Sequence, residues 1–150
     1  MQTEVPKGFG ITYELDQSLA ITSCNQSFAF FVGYEIKEHL VGTKFFDIPL
    51  FKKHPNFVAE KLAEFEKILT DSQDLFNEDE IPSFDNKMLT FLTCKSPLVE
   101  NGRVSGISVV SISKNKVDFE EKIILNNIID YNDVKGKQYY KFKVGLEYKL

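Results

Sequence analysis

Residues 19–34 read Leu19-Ala-Ile-Thr-Ser-Cys-Asn25-Gln-Ser-Phe28-Ala-Phe-Phe-Val-Gly33-Tyr34, and the hydrophobic period changes inside this stretch. Leu19, Ile21 and Ser23 alternate with Ala20, Thr22 and Cys24, with β-branched residues between them, which predicts a strand. Phe28, Phe31 and Val32 then fall at i, i+3 and i+4, one stripe of a helix. Asn25 stands at the change-over. Its side-chain oxygen can accept from the amides of the first helical turn, so it is read as an N-cap. Gly33 ends the helix, because glycine takes positive φ without a steric penalty.

The segments on either side extend this pattern. Phe9, Ile11, Tyr13 and Leu15 alternate with Gly10, Thr12 and Glu14, a half-buried strand. Asp16-Gln17-Ser18 is turn-forming, so the two strands make a hairpin. After Tyr34, Ile36, Leu40 and Val41 give a short amphipathic piece closed by Gly42. Thr43 to Phe51, which contains Pro49, is read as a packed connector. Pro55 suits the first turn of the longest helix. Its apolar stripe is read as Val58, Leu62, Phe65 and Leu69, with Glu60, Lys61, Glu64 and Lys67 facing outward; it should end near Asp71-Ser72. Three strands are expected next: Leu75 to Ile81, with Glu78, Asp79 and Glu80 exposed; Met88 to Val99, limited by Pro97; and Val104 to Ser113. The last two are joined by Glu100-Asn101-Gly102-Arg103, where Asn-Gly favours a tight hairpin. Gly106 would let a partner element approach closely.

The order is strand, strand, short helices, long helix, three strands. The fold class it predicts is α+β: a five-stranded antiparallel sheet with helices on one face, plus a C-terminal helix.

Two lines of residues resemble the PAS domain, the small sensory module of signalling proteins. Asn25, Phe28, Gly33 and Tyr34 fit "N-x-x-F-x-x-x-x-G-Y". Lys95-Ser96-Pro97-Leu98, then Asn101-Gly102, Val104 and Gly106-Ile107, look like "K-x-P-L-x-d-x-x-G-x-V-x-G-i" with a shorter turn that brings Arg103 into the loop. The resemblance covers about residues 5–114, taken as the sensory domain; 115–150 are then a helix and connector toward an output domain. It implies a pocket between sheet and helices, lined by Phe28, Phe31, Val41, Phe45, Phe46, Leu62, Phe65, Phe91 and Val109 and open to a small apolar ligand. Fourteen phenylalanines fit an aromatic interior, and they equally fit a core that is simply filled.

Beyond the sheet, Asp118 to Tyr131 presents Phe119, Ile123, Ile124, Ile128 and Ile129 on one broad apolar face, which must fold back or pair with a second copy. By analogy with helices flanking PAS domains, Phe119, Ile123, Ile124 and Ile128 are candidate homodimer contacts. Tyr140, Phe142, Val144, Leu146, Tyr148 and Leu150 alternate with mostly polar residues, so the last stretch reads as a strand or a connector. GLEYKL also resembles the residues before the helix-turn-helix of LuxR-type transcription regulators.

Composition narrows the function classes. One hundred and fifty residues make one domain, with 43% hydrophobic and 27% charged residues, ordinary for a globular protein. No apolar run spans a membrane and no secretory leader is visible, so a cytoplasmic domain is expected. Residues 1–134 carry 13 basic and 21 acidic groups, whereas 135–150 carry five lysines and one glutamate. Seventeen of the 18 basic residues are lysine, which disfavours direct base reading by this segment. Cys24 and Cys94 read as small buried hydrophobes rather than a disulfide framework. His39 and His54 join no nucleophile or base at a useful spacing, and no phosphate-binding glycine loop is present.

No cofactor or metal is expected. A flavin photosensor of the LOV type needs Asn-Cys-Arg-Phe on a helix, whereas here Cys24-Asn25 stands in reverse order at a strand end. Haem would need a histidine on the long helix, and the cysteines and histidines lack zinc spacing. The expected role is therefore a sensory or regulatory domain that is not an enzyme, fused to a kinase, cyclase or DNA-binding output. Alternatives are a pure dimerisation module and a small α+β enzyme using an isolated carboxylate.

Overall fold

A computed structural model of the chain describes residues 10–113. The expected strand start at Phe9, the expected helix 118–131 with Phe119, Ile123, Ile124 and Ile128, and the alternating stretch 140–150 lie outside the described residues. In order come β1 (Ile11–Asp16), β2 (Ile21–Cys24), α1 (Gln26–Phe31), two single 3-10 turns (Lys37–Leu40 and Phe45–Asp47), α2 (Pro49–Lys52), α3 (Pro55–Asp71), β3 (Leu75–Pro82), β4 (Met88–Glu100) and β5 (Arg103–Ser113). The five strands form one antiparallel sheet in the order β2-β1-β5-β4-β3, so the first hairpin pairs with the last strand at the centre. The α+β expectation stands.

The junction at Asn25 behaves as its chemistry demands. The Asn25 Oδ1 accepts from the Phe28 amide at 2.9 Å, which caps α1. The same oxygen accepts from the Thr12 amide at 3.2 Å, and the Nδ2 donates to the Gly10 carbonyl at 2.9 Å. One buried side chain thus ties the start of α1 to β1. Asn25→Ala removes a cap and leaves two part-buried backbone groups, the Thr12 amide and the Gly10 carbonyl, short of a partner; urea unfolding is expected to show a loss of about 2–3 kcal/mol. At the other end of α1, Gly33 has φ +95° and its amide donates to the Phe30 carbonyl.

At the sheet centre, Gly106 pairs with Asp16, and a Cβ there would lie 2.1 Å from the Leu15 carbonyl oxygen. Any side chain at 106 would push β1 from β5. Asn101 and Gly102 both have positive φ (52° and 76°), the geometry of the tight turn expected between β4 and β5. Pro97 does not end β4. It pairs with Ile107, two residues past Lys95, the last β4 residue that β3 pairs, where β4 has a partner on one side only.

The connector after α1 closes the other edge. Gly42 donates to Ile21, Ile21 to Thr43, and Phe45 to Leu19, all at 2.8–2.9 Å, so residues 42–45 lie along β2 and cover it. Leu19 itself stands at φ 66°, held by its amide on the Asp16 carbonyl. Asp16 Oδ1 braces the same turn by accepting from Ser18 and Ala20.

The helices cover one sheet face. Tyr13, Phe28, Phe45, Phe51, Phe57 and Phe65 pack there as a continuous aromatic cluster, with ring centroids 4.5–6.4 Å apart. The helix α3 ends at Asp71 as expected, with Ser72 in the left-handed conformation beyond it. Its buried stripe differs from the expected one: Phe57, Lys61, Phe65 and Ile68 are buried, whereas Val58, Leu62 and Leu69 are half-buried at its margin. The face is rotated by about one residue, and a lysine stands in the middle of it. No helix among the described residues is long and apolar enough to cross a membrane.

Candidate functional site

That lysine leads to the most strongly charged part of the interior among the described residues. Strand pairing aligns Tyr13, Val109, Lys95 and Leu75 in one row across the sheet, and Ile11, Ser111, Thr93 and Asn77 in the next. Phe91 pairs with Asp79 in the row beyond. Side chains two apart on a strand share a face, so Lys95, Thr93, Asn77 and Asp79 all belong to the face that carries the aromatic cluster. From above, α3 contributes Lys61 and Glu64, at i and i+3 on one side of the helix.

These groups form a closed ion cluster. Asp79 accepts from Lys61 Nζ at 2.6 Å through Oδ1 and from Lys95 Nζ at 2.7 Å through Oδ2. Glu64 bridges the same two ammoniums, 2.8 Å from Lys95 and 3.2 Å from Lys61. Asn77 donates to Asp79 at 2.9 Å and accepts from Lys95 at 3.4 Å. Beside it, the Thr93 and Ser111 hydroxyls share a hydrogen bond of 2.9 Å. The side chains of Lys61, Asp79 and Lys95 are 1–3% exposed; Glu64, at 18%, is the outermost of the four. Glu60, fully at the surface, reaches Lys61 at 3.5 Å.

The electrostatics follow from these contacts. Burial pushes the Asp79 carboxyl up, but the Lys95 and Lys61 ammoniums outweigh it and hold it below the usual carboxylate range. Burial pulls Lys61 down, and Asp79 and Glu64 more than restore it, so it ionises above its ordinary value. The Tyr13 phenol is pushed well up, by burial first and by the Asp79 and Glu64 charges second, so it stays neutral. Two cations and two anions balance. The carboxylates of Glu60, Glu64 and Asp79 come within 4.8 Å of one another, a spacing a metal could use. Glu64 and Asp79 are matched by Lys61 and Lys95, and Glu60, at the surface, also reaches Lys61, so the set reads as an ion-paired cluster rather than a metal site.

Several residues expected at the pocket lie on this same face. Phe28, Phe45, Phe65, Phe91 and Val109 are buried in the core, with Phe31 and Leu62 packed against it; Phe31 meets Phe91 edge-on at 5.6 Å. Two do not point inward. Val41 is 53% exposed because the preceding 3-10 turn delivers Leu40 to the core instead. Phe46 is half-buried, with Lys44 Nζ 5.9 Å from its ring. Lys61, expected outward, and Asp79, expected on an exposed acidic edge, are both buried; each compensates the other's charge. Glu78 and Glu80 do face out. Lys95 stands in the sequence pattern only as the first residue of the Lys95-Ser96-Pro97-Leu98 line. The available signal was a charged residue at an inward position of three elements, two basic and one acidic.

No family model matches the sequence, and no curated protein matches it. Solved structures do match. A Vibrio cholerae VqmA–ligand–DNA complex aligns over 69% of this chain and 46% of its own, at 17% identity and TM-score 0.62. The V. cholerae VqmA dimer without target DNA, described as a LuxR-type receptor, aligns over 69% and 45%, at 17% identity and TM-score 0.61. The PAS domain of Bordetella pertussis BvgS aligns over 85% and 90%, at 15% identity and TM-score 0.59. The chain spans less than half the length of these two VqmA chains. With its strand order, its helical layer and these matches in agreement, this chain has the PAS fold.

Proposed function

We propose that this chain is a sensory domain of a signal-transduction protein, that it takes a small ligand on the inner face of its sheet, and that it works as a homodimer. The observation that carries the reading is the buried Lys61–Asp79–Lys95–Glu64 cluster. A fold needing only a filled core would be served at least as well there by apolar side chains, because buried ion pairs are weak contributors to stability. Ligand pockets are mostly apolar with a few convergent polar groups, and the phenylalanines around the cluster supply the apolar part. The expected ligand is therefore amphipathic rather than purely apolar. Binding would shift the balance between two arrangements of α3 on the sheet, and the output would be transcription regulation or a kinase. The structurally similar VqmA is a LuxR-type receptor, and GLEYKL fits that direction.

Dimer contacts are assigned to Phe119, Ile123, Ile124 and Ile128. The domain itself carries no catalytic role in this reading, and a cytoplasmic location goes with it. A second reading, a dimerisation module with a filled core, is favoured by one observation: each ammonium of the cluster is already satisfied by the protein's own carboxylates.

Native mass spectrometry of gently purified chain separates the two. Sensing predicts a dimer carrying extra mass that is lost on mild activation. A dimer of bare chains, with no midpoint shift from a metabolite library, favours the second reading, and a monomer at micromolar concentration removes the dimer contacts.

A further inference from the structure

We infer that the ligand seat is a carboxylate seat, occupied in this structure by Glu64 as an internal stand-in; this rests on the sensory reading above. The argument is one of charge. Asp79 places one oxygen on each ammonium, so Lys61, Lys95 and Asp79 together hold a net charge of +1 at 1–3% exposure. A buried uncompensated charge is costly, and a carboxylate is required to close the cluster. Glu64 supplies it through Oε1, which faces both ammoniums at 2.8 and 3.2 Å.

Of the four charged groups, Glu64 is the one that reaches solvent, and it stands on a helix rather than on the paired strands. It can leave without breaking a strand pairing, whereas Asp79 cannot reach water. A small monocarboxylate arriving along α3 would meet the same two ammoniums, the Asn77 amide and, for its apolar end, the ring of Phe57, 5.8 Å from Lys61 Nζ. Glu60 sits at the mouth and opposes an anion, but it is 67% exposed and therefore screened. A second negative charge on the ligand would exceed the single unit that Lys61, Lys95 and Asp79 leave open. Exchange of a tethered carboxylate for a free one makes and breaks no covalent bond and changes no net charge within the cluster.

The test uses the whole chain with propionate and benzoate as probes, propionamide and benzamide as neutral isosteres, and chloride at matched ionic strength. The unaltered chain is expected to gain thermal midpoint with the carboxylates and less with the amides. Glu64→Gln removes the competing charge and keeps its shape, so benzoate is expected to bind at least tenfold tighter to the variant than to the unaltered chain by calorimetry. Equal effects of benzoate and benzamide on the unaltered chain, or no tightening in Glu64→Gln, overturn the inference. If Glu64→Gln does not fold, the comparison of acid with amide on the unaltered chain decides alone. Should neutral metabolites stabilise the chain where carboxylates do not, the carboxylate seat falls and the sensory reading stands; if no small molecule of any class does, both fall.

Discussion

Asp79→Asn is expected to lower the unfolding free energy by about 3–5 kcal/mol, the usual cost of stranding a buried partner. The substitution keeps the volume and leaves Glu64 as the one partly buried carboxylate facing both Lys61 and Lys95, with surface Glu60 reaching Lys61 alone. Replacing all three buried groups with apolar ones (Lys61→Met, Asp79→Leu, Lys95→Met) should cost less than the single change, because desolvation of the charges is removed along with their attraction. Urea titration of both variants checks the order.

The pH profile gives the same cluster a second signature. The folded chain holds the Asp79 carboxyl below its unfolded value. Its ionised form therefore contributes stability that is complete above the ordinary carboxylate range, near pH 4, and is lost as pH falls through the folded value. Lys61 is raised, so its contribution is complete below its ordinary value and is lost as pH rises through the higher folded one. The unaltered chain should thus weaken at both extremes. In Asp79→Asn the acid limb flattens. The alkaline limb shrinks as well, because the Asp79 charge is the larger of the two attractions that raise Lys61, and Glu64 alone remains to oppose its burial.

The architecture was readable in the sequence because local and global signals agree there. Asn25 caps α1 and Gly33 ends it, Asn101-Gly102 turns the last hairpin, and Ile11, Tyr13 and Leu15 alternate into the core. Each of these is a local property of backbone or period. The polar centre was not readable, because its parts are individually misleading. A lysine between two glutamates on a helix has the look of a solvated face, and Glu78-Asp79-Glu80 has the look of an acidic edge. Periodicity assigns Lys61 between Phe57 and Phe65 only once the helix rotation is known, and an ambiguity of one residue exchanges Lys61 for Leu62. The partnership also joins positions 61, 79 and 95 across three elements, which no spacing rule encodes. Val41 failed for a related reason: a 3-10 turn advances the chain by three residues per turn rather than 3.6, and that placed Leu40 inward.

Phe45→Ala should be as damaging as Asp79→Asn, by a different route: about 3–5 kcal/mol from lost burial and the void left behind. Phe45 is 1% exposed and packs against Tyr13, Phe51, Phe57 and Phe65, with centroids 4.8–6.1 Å away. Its backbone cannot follow the missing ring inward, because its amide is fixed to the Leu19 carbonyl at 2.9 Å and the neighbouring Lys44 bridges to Ala20. Collapse is therefore limited and the cost should fall toward the upper end of that range. The resulting hole would be lined by aromatic rings and should stay dry. Benzene added to Phe45→Ala is then expected to recover part of the lost thermal midpoint by mass action, while leaving the unaltered chain unmoved. A shift of equal size in both would mean that the natural core already has room for an apolar guest beside the ion cluster. A cost under 1 kcal/mol, with no benzene effect, would mean that the connector repacks and that Phe45 does not hold the floor of the inner face.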